Sequence, residues 1–158
     1  MRRHLLTLPV LMTVFSCINN DDISIGNRNG ALFGQWKYVA IESNTAVDIN
    51  GDGTVNIDLY KTNEIRQCIK DNLTFFTEGP IGEKNEFRLN ENDLSCGEVD
   101  PYSTVESDKY ELMNNEILIF ENRNEMRIIE LTKSRLVLEQ DDFFDNQDVV
   151  ITYTYKRS

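Results

Sequence analysis

The chain has 158 residues, of which 27 are acidic and 16 are lysine or arginine, so its formal net charge at pH 7 is −11. A surface of this charge repels nucleic acid phosphates and anionic lipid headgroups, which excludes nucleic-acid binding. The length and the apolar content allow one domain with a single core and exclude two.

The N-terminus has the features of a secretory signal. Two arginines precede an apolar run, Leu5 to Phe15, that is too short to span a bilayer, which takes about 20 residues. The run leads into Val14 to Cys17, which resembles the lipobox at which bacteria acylate a cysteine and cleave before it. We expect residues 1–16 to be a signal peptide and Cys17 to carry fatty acyl chains such as palmitate. The alternative is an ordinary signal peptide with an incidental cysteine.

The segment after Cys17 is polar, and residues 17–33 predict a flexible tether because this composition cannot bury a core. Removal of residues 1–16 takes away two arginines and no acidic residue, so the mature charge is −13. The Asp21-Asp22 pair resembles the acidic export signal of surface lipoproteins in Bacteroidota. We therefore expect a lipid-anchored protein of the outer membrane, facing the periplasm or the cell surface.

Two further cysteines, Cys68 and Cys96, lie in the domain that follows. In an exported chain such a pair is most simply a disulfide, and this one would close a loop of about 28 residues. The alternative is two free thiols. Neither cysteine has a histidine nearby that would indicate a metal site.

Alternating apolar residues and short turns predict an antiparallel meander. Trp36, Tyr38 and Ala40 share one face of the first strand, and Asn114-Asn115 predicts a tight hairpin turn. A weak helix is expected over Asn56 to Ile69. The eight expected strands cover residues 34–43, 73–77, 85–89, 107–113, 116–121, 125–131, 135–140 and 148–156. Eight such strands can close into a barrel whose interior holds side chains or one small ligand, whereas a sandwich usually needs longer crossovers.

Several segments together resemble the lipocalin-like domain of Bacteroidota lipoproteins. They are Gly34-Gln35-Trp36, the Asp48 to Gly53 segment, a cysteine before Leu73 to Phe76 with a second after the next strand, Leu136 to Leu138, and Ile151 to Tyr155. The resemblance covers residues 34–156. It implies an up-and-down barrel with Trp36 packed across one end. Together with the expected strands and helix, this predicts an all-β fold, an eight-stranded up-and-down antiparallel barrel with one short helix after the first strand. It implies little about activity.

The Asp48 to Gly53 segment matches the first half of a calcium loop, with oxygen ligands at alternate positions before a glycine. The predicted ligands of a structural calcium ion are Asp48, Asn50, Asp52, the Thr54 carbonyl and Asp58. An EF-hand would have glutamate at its twelfth position, where this chain has Leu59. The alternative is an acidic turn with no ion.

The chain offers little that predicts catalysis. Its only histidine, His4, lies in the signal peptide, which excludes serine–histidine and cysteine–histidine catalysis and histidine-bound metals from the mature chain. We therefore expect no redox cofactor and no enzymatic activity. A pair of carboxylates, as in a glycosidase, remains as an unspecific alternative.

The aromatic residues of the strands predict a site for a small apolar ligand inside the barrel. The residues expected to line it are Trp36, Tyr38, Phe75, Phe120 and Tyr153. Such residues also fill solid barrels, so the alternative is a structural or interaction lipoprotein whose loops contact an unknown protein partner.

Overall fold

The structure is a computed structural model that describes residues 25–97, 103–144 and 146–158. The predicted signal peptide, Cys17 and the first part of the predicted tether lie outside these residues. Within the described ranges, no helix is long and apolar enough to cross a membrane.

The described residues form nine strands and two short helices. The helices are α1 (Arg28–Leu32), preceded by a single 3-10 turn (Ile25–Asn27), and α2 (Gln67–Asp71). The strands are β1 (Gly34–Val47), β2 (Asn56–Asp58), β3 (Leu73–Thr77), β4 (Asn85–Asn90), β5 (Thr104–Met113), β6 (Ile117–Phe120), β7 (Met126–Leu131), β8 (Arg135–Phe144) and β9 (Gln147–Arg157).

The strands close into a barrel. From β3 to β9 each strand pairs antiparallel with the next, and β1 pairs with both β3 and β9. The short β2 adds to the far end of β1 and stands outside this ring of eight. The predicted fold class, an eight-stranded up-and-down antiparallel barrel with a short helix after the first strand, is therefore confirmed.

A bulge in β1 changes which side chains point inward. Tyr38 pairs with Tyr155 and Ala40 pairs with Thr154, so Val39 is an extra residue without a partner on β9. The alternation therefore reverses beyond it, and Ile41 is buried. The prediction that Ala40 continues the inner face of Trp36 and Tyr38 is wrong for this reason.

The helix predicted over Asn56 to Ile69 is wrong in its extent. Residues 56–58 form β2 instead, and the helix begins only at Gln67. The stretch between them turns back on the barrel, where the Leu59 amide donates to the Ile41 carbonyl at 2.9 Å. Burial of Leu59 against Ile41 fixes this path, which local helix propensity could not indicate.

The predicted tether is also too long. Residues 25–32 form the 3-10 turn and α1, and Leu32 is fully buried. Burial of this side chain and hydrogen bonds from Trp36 and Arg157 to the carbonyls of residues 31–33 hold the segment in place. A flexible tether remains a prediction only for the residues before 25.

The core has two parts. The larger packs aromatic and aliphatic side chains around Trp36, with Phe76, Tyr110, Leu118 and Leu136 fully buried. The smaller packs Ile41, Val47, Leu59, Val149 and Ile151 between β1, β9 and the segment after β2. Tyr38 and Tyr153 contact both parts.

Candidate functional site

One end of the barrel, the closed end, is sealed by contacts around Trp36. The indole Nε1 of Trp36 donates to the Leu32 carbonyl at 2.8 Å, which ties α1 to β1. The guanidinium of Arg157, from the end of the last strand, stacks over the Trp36 ring, 4.3 Å from its centroid. Arg157 also donates to the carbonyls of Ala31 at 2.6 Å and Phe33 at 2.9 Å. A ligand cannot reach the interior from this end without displacing α1.

The other half of the interior admits solvent. We call it the open half and define it by four side chains that strand pairing turns inward: Tyr38, Leu89, Glu106 and Tyr153. Glu106 is exposed, and the other three are partly exposed. Fully buried residues of the larger core lie on the same inner face, closer to the closed end. These side chains are therefore less tightly packed than the larger core, whereas Ile41 and Ile151, the next inward residues beyond Tyr38 and Tyr153, are buried in the smaller core.

Three tyrosines pack together at the boundary between the larger core and the open half. The Tyr38 ring centroid lies 4.7 Å from that of Tyr155 and 6.1 Å from that of Tyr153. Burial raises the pKa of all three phenols above the usual 10.0, and the nearby positive charge of Arg123 acts in the opposite direction. The three hydroxyls therefore stay protonated at neutral pH and can donate hydrogen bonds.

Arg123 forms the floor of the open half. It lies in the β6–β7 connection, and its guanidinium carbon is 4.6 Å from the Phe87 ring centroid and 5.0 Å from that of Phe120. Arg123 Nη1 forms an ion pair with Glu106 Oε1 at 3.3 Å. Arg123 lies between two expected strands, and sequence reasoning did not identify it, because its position over two core rings depends on tertiary packing.

The predicted lining residues divide into three groups. Tyr38 and Tyr153 face the open half, where a ligand could contact them. Trp36 and Phe120 point inward but are buried in the larger core, and Arg123 covers Phe120. Phe75 is paired with Gln35 and Arg88 on the outer face, while Thr74 and Phe76 on either side of it are buried. Phe75 therefore does not line the interior, because its phase on β3 is opposite to the one assumed.

Two connections at the open half are joined covalently. Cys68 of α2 and Cys96 of the β4–β5 connection form the predicted disulfide, with their Cα atoms 5.2 Å apart. Asp71, also in α2, accepts hydrogen bonds from Lys37 Nζ at 2.8 Å and from the Leu94 amide at 3.1 Å. The two connections are therefore held together beside the barrel.

The carboxylates of the predicted calcium loop accept hydrogen bonds from the loop's own backbone amides. Asp48 accepts hydrogen bonds from the amides of Gly51, Asp52 and Gly53, at 2.7, 3.1 and 2.7 Å. Asp52 accepts from the Thr54 amide at 2.8 Å, and this bond is the main cause that lowers the pKa of the Asp52 carboxyl.

Two acidic side chains near this loop have other partners. Asp58 binds the Lys61 ammonium at 2.9 Å, so its carboxylate is already neutralised. Buried Glu64, which sequence reasoning missed, accepts from the Ile49 amide at 2.7 Å and from the Asn56 side chain at 2.7 Å. Among the described residues, no group of three or more acidic, cysteine or histidine side chains is arranged to hold a metal ion. The calcium ion stays a prediction.

No model of a known protein family matches the chain, and no curated protein matches its sequence. Solved structures with a similar path include bovine odorant binding protein in complex with a selenium-containing odorant, at 14% identity and a TM-score of 0.45, over 82% of this chain and 72% of that one. The siderocalin Ex-FABP is similar at 14% identity and a TM-score of 0.42, over 81% of this chain and 71% of that one. A bovine lipocalin allergen, Bos d 2, is similar at 12% identity and a TM-score of 0.34, over 82% of this chain and 75% of that one. The ligands of those proteins are not assigned to this chain.

Proposed function

We propose that the chain is an exported lipoprotein, anchored to the outer membrane through acylated Cys17, that holds a small apolar molecule in the open half of its barrel. The observation that carries the binding role is that solvent reaches Tyr38 and Tyr153 although both rings point inward. The sealed end supports it, because the larger core would enclose a molecule in the open half from that side.

The anchor belongs to the same proposal for a chemical reason. Cys17 is the one cysteine left over when Cys68 and Cys96 are paired, and an exported chain rarely keeps an unpaired thiol without a use. It stands at the end of an apolar run, where acylation and cleavage would remove the leader. Two acyl chains would hold the protein at the membrane, since each buried CH₂ contributes about 0.8 kcal/mol.

A solid barrel that acts through its surface is the second candidate. The fully buried packing of Trp36, Phe76 and Tyr110 favours it, because the larger core leaves no room for a ligand near the closed end. The two candidates therefore differ only in whether the open half takes up a molecule.

A space-filling variant separates them. We would express the chain from residue 17 with Cys17→Ser and titrate it with decanol by calorimetry. Leu89→Trp adds bulk inside the open half, and Ile129→Trp adds the same bulk at a position that is 48% exposed. We expect decanol to bind the parent chain and Ile129→Trp alike and to lose binding in Leu89→Trp. No binding to the parent chain by decanol or by other medium-length apolar molecules would favour the solid barrel.

A further inference from the structure

Arg123 has more hydrogen-bond donors than the structure uses. A guanidinium carries five N–H groups, and the contact of Arg123 Nη1 with Glu106 Oε1 at 3.3 Å is an ion pair. The Nε of Arg123 is buried and has no partner among the described residues. The arginine side chain is only 20% exposed, so bulk water satisfies these donors incompletely.

A second polar group lies at the same level. Thr74 is fully buried, and strand pairing places it beside Leu89 on the inner face. Its side chain is a hydrogen-bond partner of the Tyr38 phenol. The inner face next to the larger core is therefore partly polar here.

Strand pairing places these groups at the bottom of the open half. Phe87 pairs with Phe76 and Asp108, within the larger core, and Leu89 pairs with Thr74 and Glu106 one inward step further from the closed end. Because Arg123 lies over the Phe87 ring, its guanidinium is at the boundary between the solid core and the open half. A molecule that enters the open half meets this cation last.

We infer that the molecule held in the open half is an amphipathic organic acid whose head group binds Arg123 at the floor and whose apolar chain contacts Tyr38 and Tyr153. This inference rests on the proposed function. A carboxylate suits the floor better than an alcohol, because its two oxygens match the planar fork of a guanidinium. Its binding displaces Glu106, whose side chain is 43% exposed and can turn to water.

The position of Glu106 predicts how the site distinguishes an acid from a neutral molecule. Without ligand, Glu106 pairs with Arg123 and neutralises this partly buried positive charge. An entering carboxylate must compete with Glu106 and then remains close to its negative charge. Removal of the Glu106 charge should therefore strengthen binding of an acid and leave binding of a neutral molecule unchanged.

Decanoate and decanol are a matched pair of probes, titrated at neutral pH into the Cys17→Ser chain that begins at residue 17. We expect Arg123→Gln to weaken decanoate binding on the order of 10- to 100-fold and to change decanol binding by less than about threefold. Arg127→Gln is the control, because Arg127 forms an exposed ion pair with Glu139 on the outside of the barrel. Glu106→Gln should strengthen decanoate binding several-fold.

The outcomes separate the inference from the function beneath it. If decanoate and decanol bind the parent chain equally and Arg123→Gln weakens neither, the acid head group is wrong and the binding role stands. If neither probe binds the parent chain, the proposed function fails together with the inference. If Arg123→Gln does not fold, Glu106→Gln decides, because unchanged decanoate affinity in that variant would overturn the inference.

Discussion

The Arg157 guanidinium stacks over the Trp36 ring at 4.3 Å, although 121 positions separate the two residues in the chain. Trp36 stands near the start of the first strand and Arg157 ends the last one. The same guanidinium donates to the Lys133 carbonyl at 2.7 Å, in the β7–β8 turn. One side chain therefore joins α1, β1 and the β7–β8 turn across the closed end.

Arg157→Ala should lower the free energy of unfolding by roughly 2–4 kcal/mol, because it removes a cation–π contact and charged hydrogen bonds at a partly buried position. Denaturant titration followed by the fluorescence of Trp36, the only tryptophan, measures this loss. Arg127→Ala removes an exposed ion pair and should cost less than about 1 kcal/mol. Equal losses in the two variants would mean that Arg157 does not seal the barrel.

The disulfide should contribute measurably to stability. Cys68 and Cys96 are 28 positions apart, and a loop of that size favours the folded state by roughly 3–4 kcal/mol in the chain-entropy model. We expect the Cys68→Ala/Cys96→Ala variant to lose about that amount, and the reduced parent chain to match it. Denaturation midpoints that do not move on reduction would contradict the prediction.

Calcium has a direct test in the loop around Asp48. If the ion binds, calcium should raise the melting temperature of the parent chain above its value in chelator, and Asp52→Ala should remove that difference. In chelator the variant should lose little, because Asp52 is exposed and its hydrogen bonds, from the Thr54 amide and the Asn50 side chain, lie at the surface. A parent chain with the same melting temperature in calcium and in chelator has no calcium site.

The interactions of the Asp71 carboxylate predict that the free energy of unfolding falls in acid. Burial acts to raise the pKa of its carboxyl, but hydrogen bonds from Lys37, Leu94 and Asn92 outweigh burial and hold the pKa below 3.8. A carboxyl with a lower pKa in the folded state stabilises the fold above its unfolded pKa and loses this effect as pH falls through the folded value.

The parent chain should therefore exceed Asp71→Asn by about 1–3 kcal/mol at neutral pH. The difference should shrink as pH falls below 3.8, the usual value for this carboxyl. Glu130→Gln is the matched control, because the Glu130 ion pair with Arg135 is exposed on both sides. A difference between the parent chain and Asp71→Asn that stays constant from neutral pH to acid would contradict this assignment.

The strands were predictable because their signals are local. Alternating side chains located each strand of the ring, and Asn114 and Asn115 adopt the left-handed φ values of 52° and 61° that a tight hairpin requires. The bulge at Val39 was not predictable, since its side chain suits either face. The same holds for α1, whose short segment depends on burial of Leu32 and on the long-range hydrogen bonds from Arg157.

The candidate site was predictable in part. Tyr38 and Tyr153 follow from alternation along the first and last strands, but alternation cannot choose between the two apolar faces of β3, which is why Phe75 was misplaced. Arg123 has no local signal at all. Its position depends on Phe87 and Phe120, which approach each other only when the barrel closes.

Native mass spectrometry of the protein from its own host tests the central claim, a small molecule enclosed in the open half, most directly. We expect a chain that begins at acylated Cys17 and carries one non-covalent ligand, which leaves on collisional activation and is absent from Leu89→Trp purified in the same way. A ligand-free parent chain, or the same ligand retained in Leu89→Trp, would contradict it.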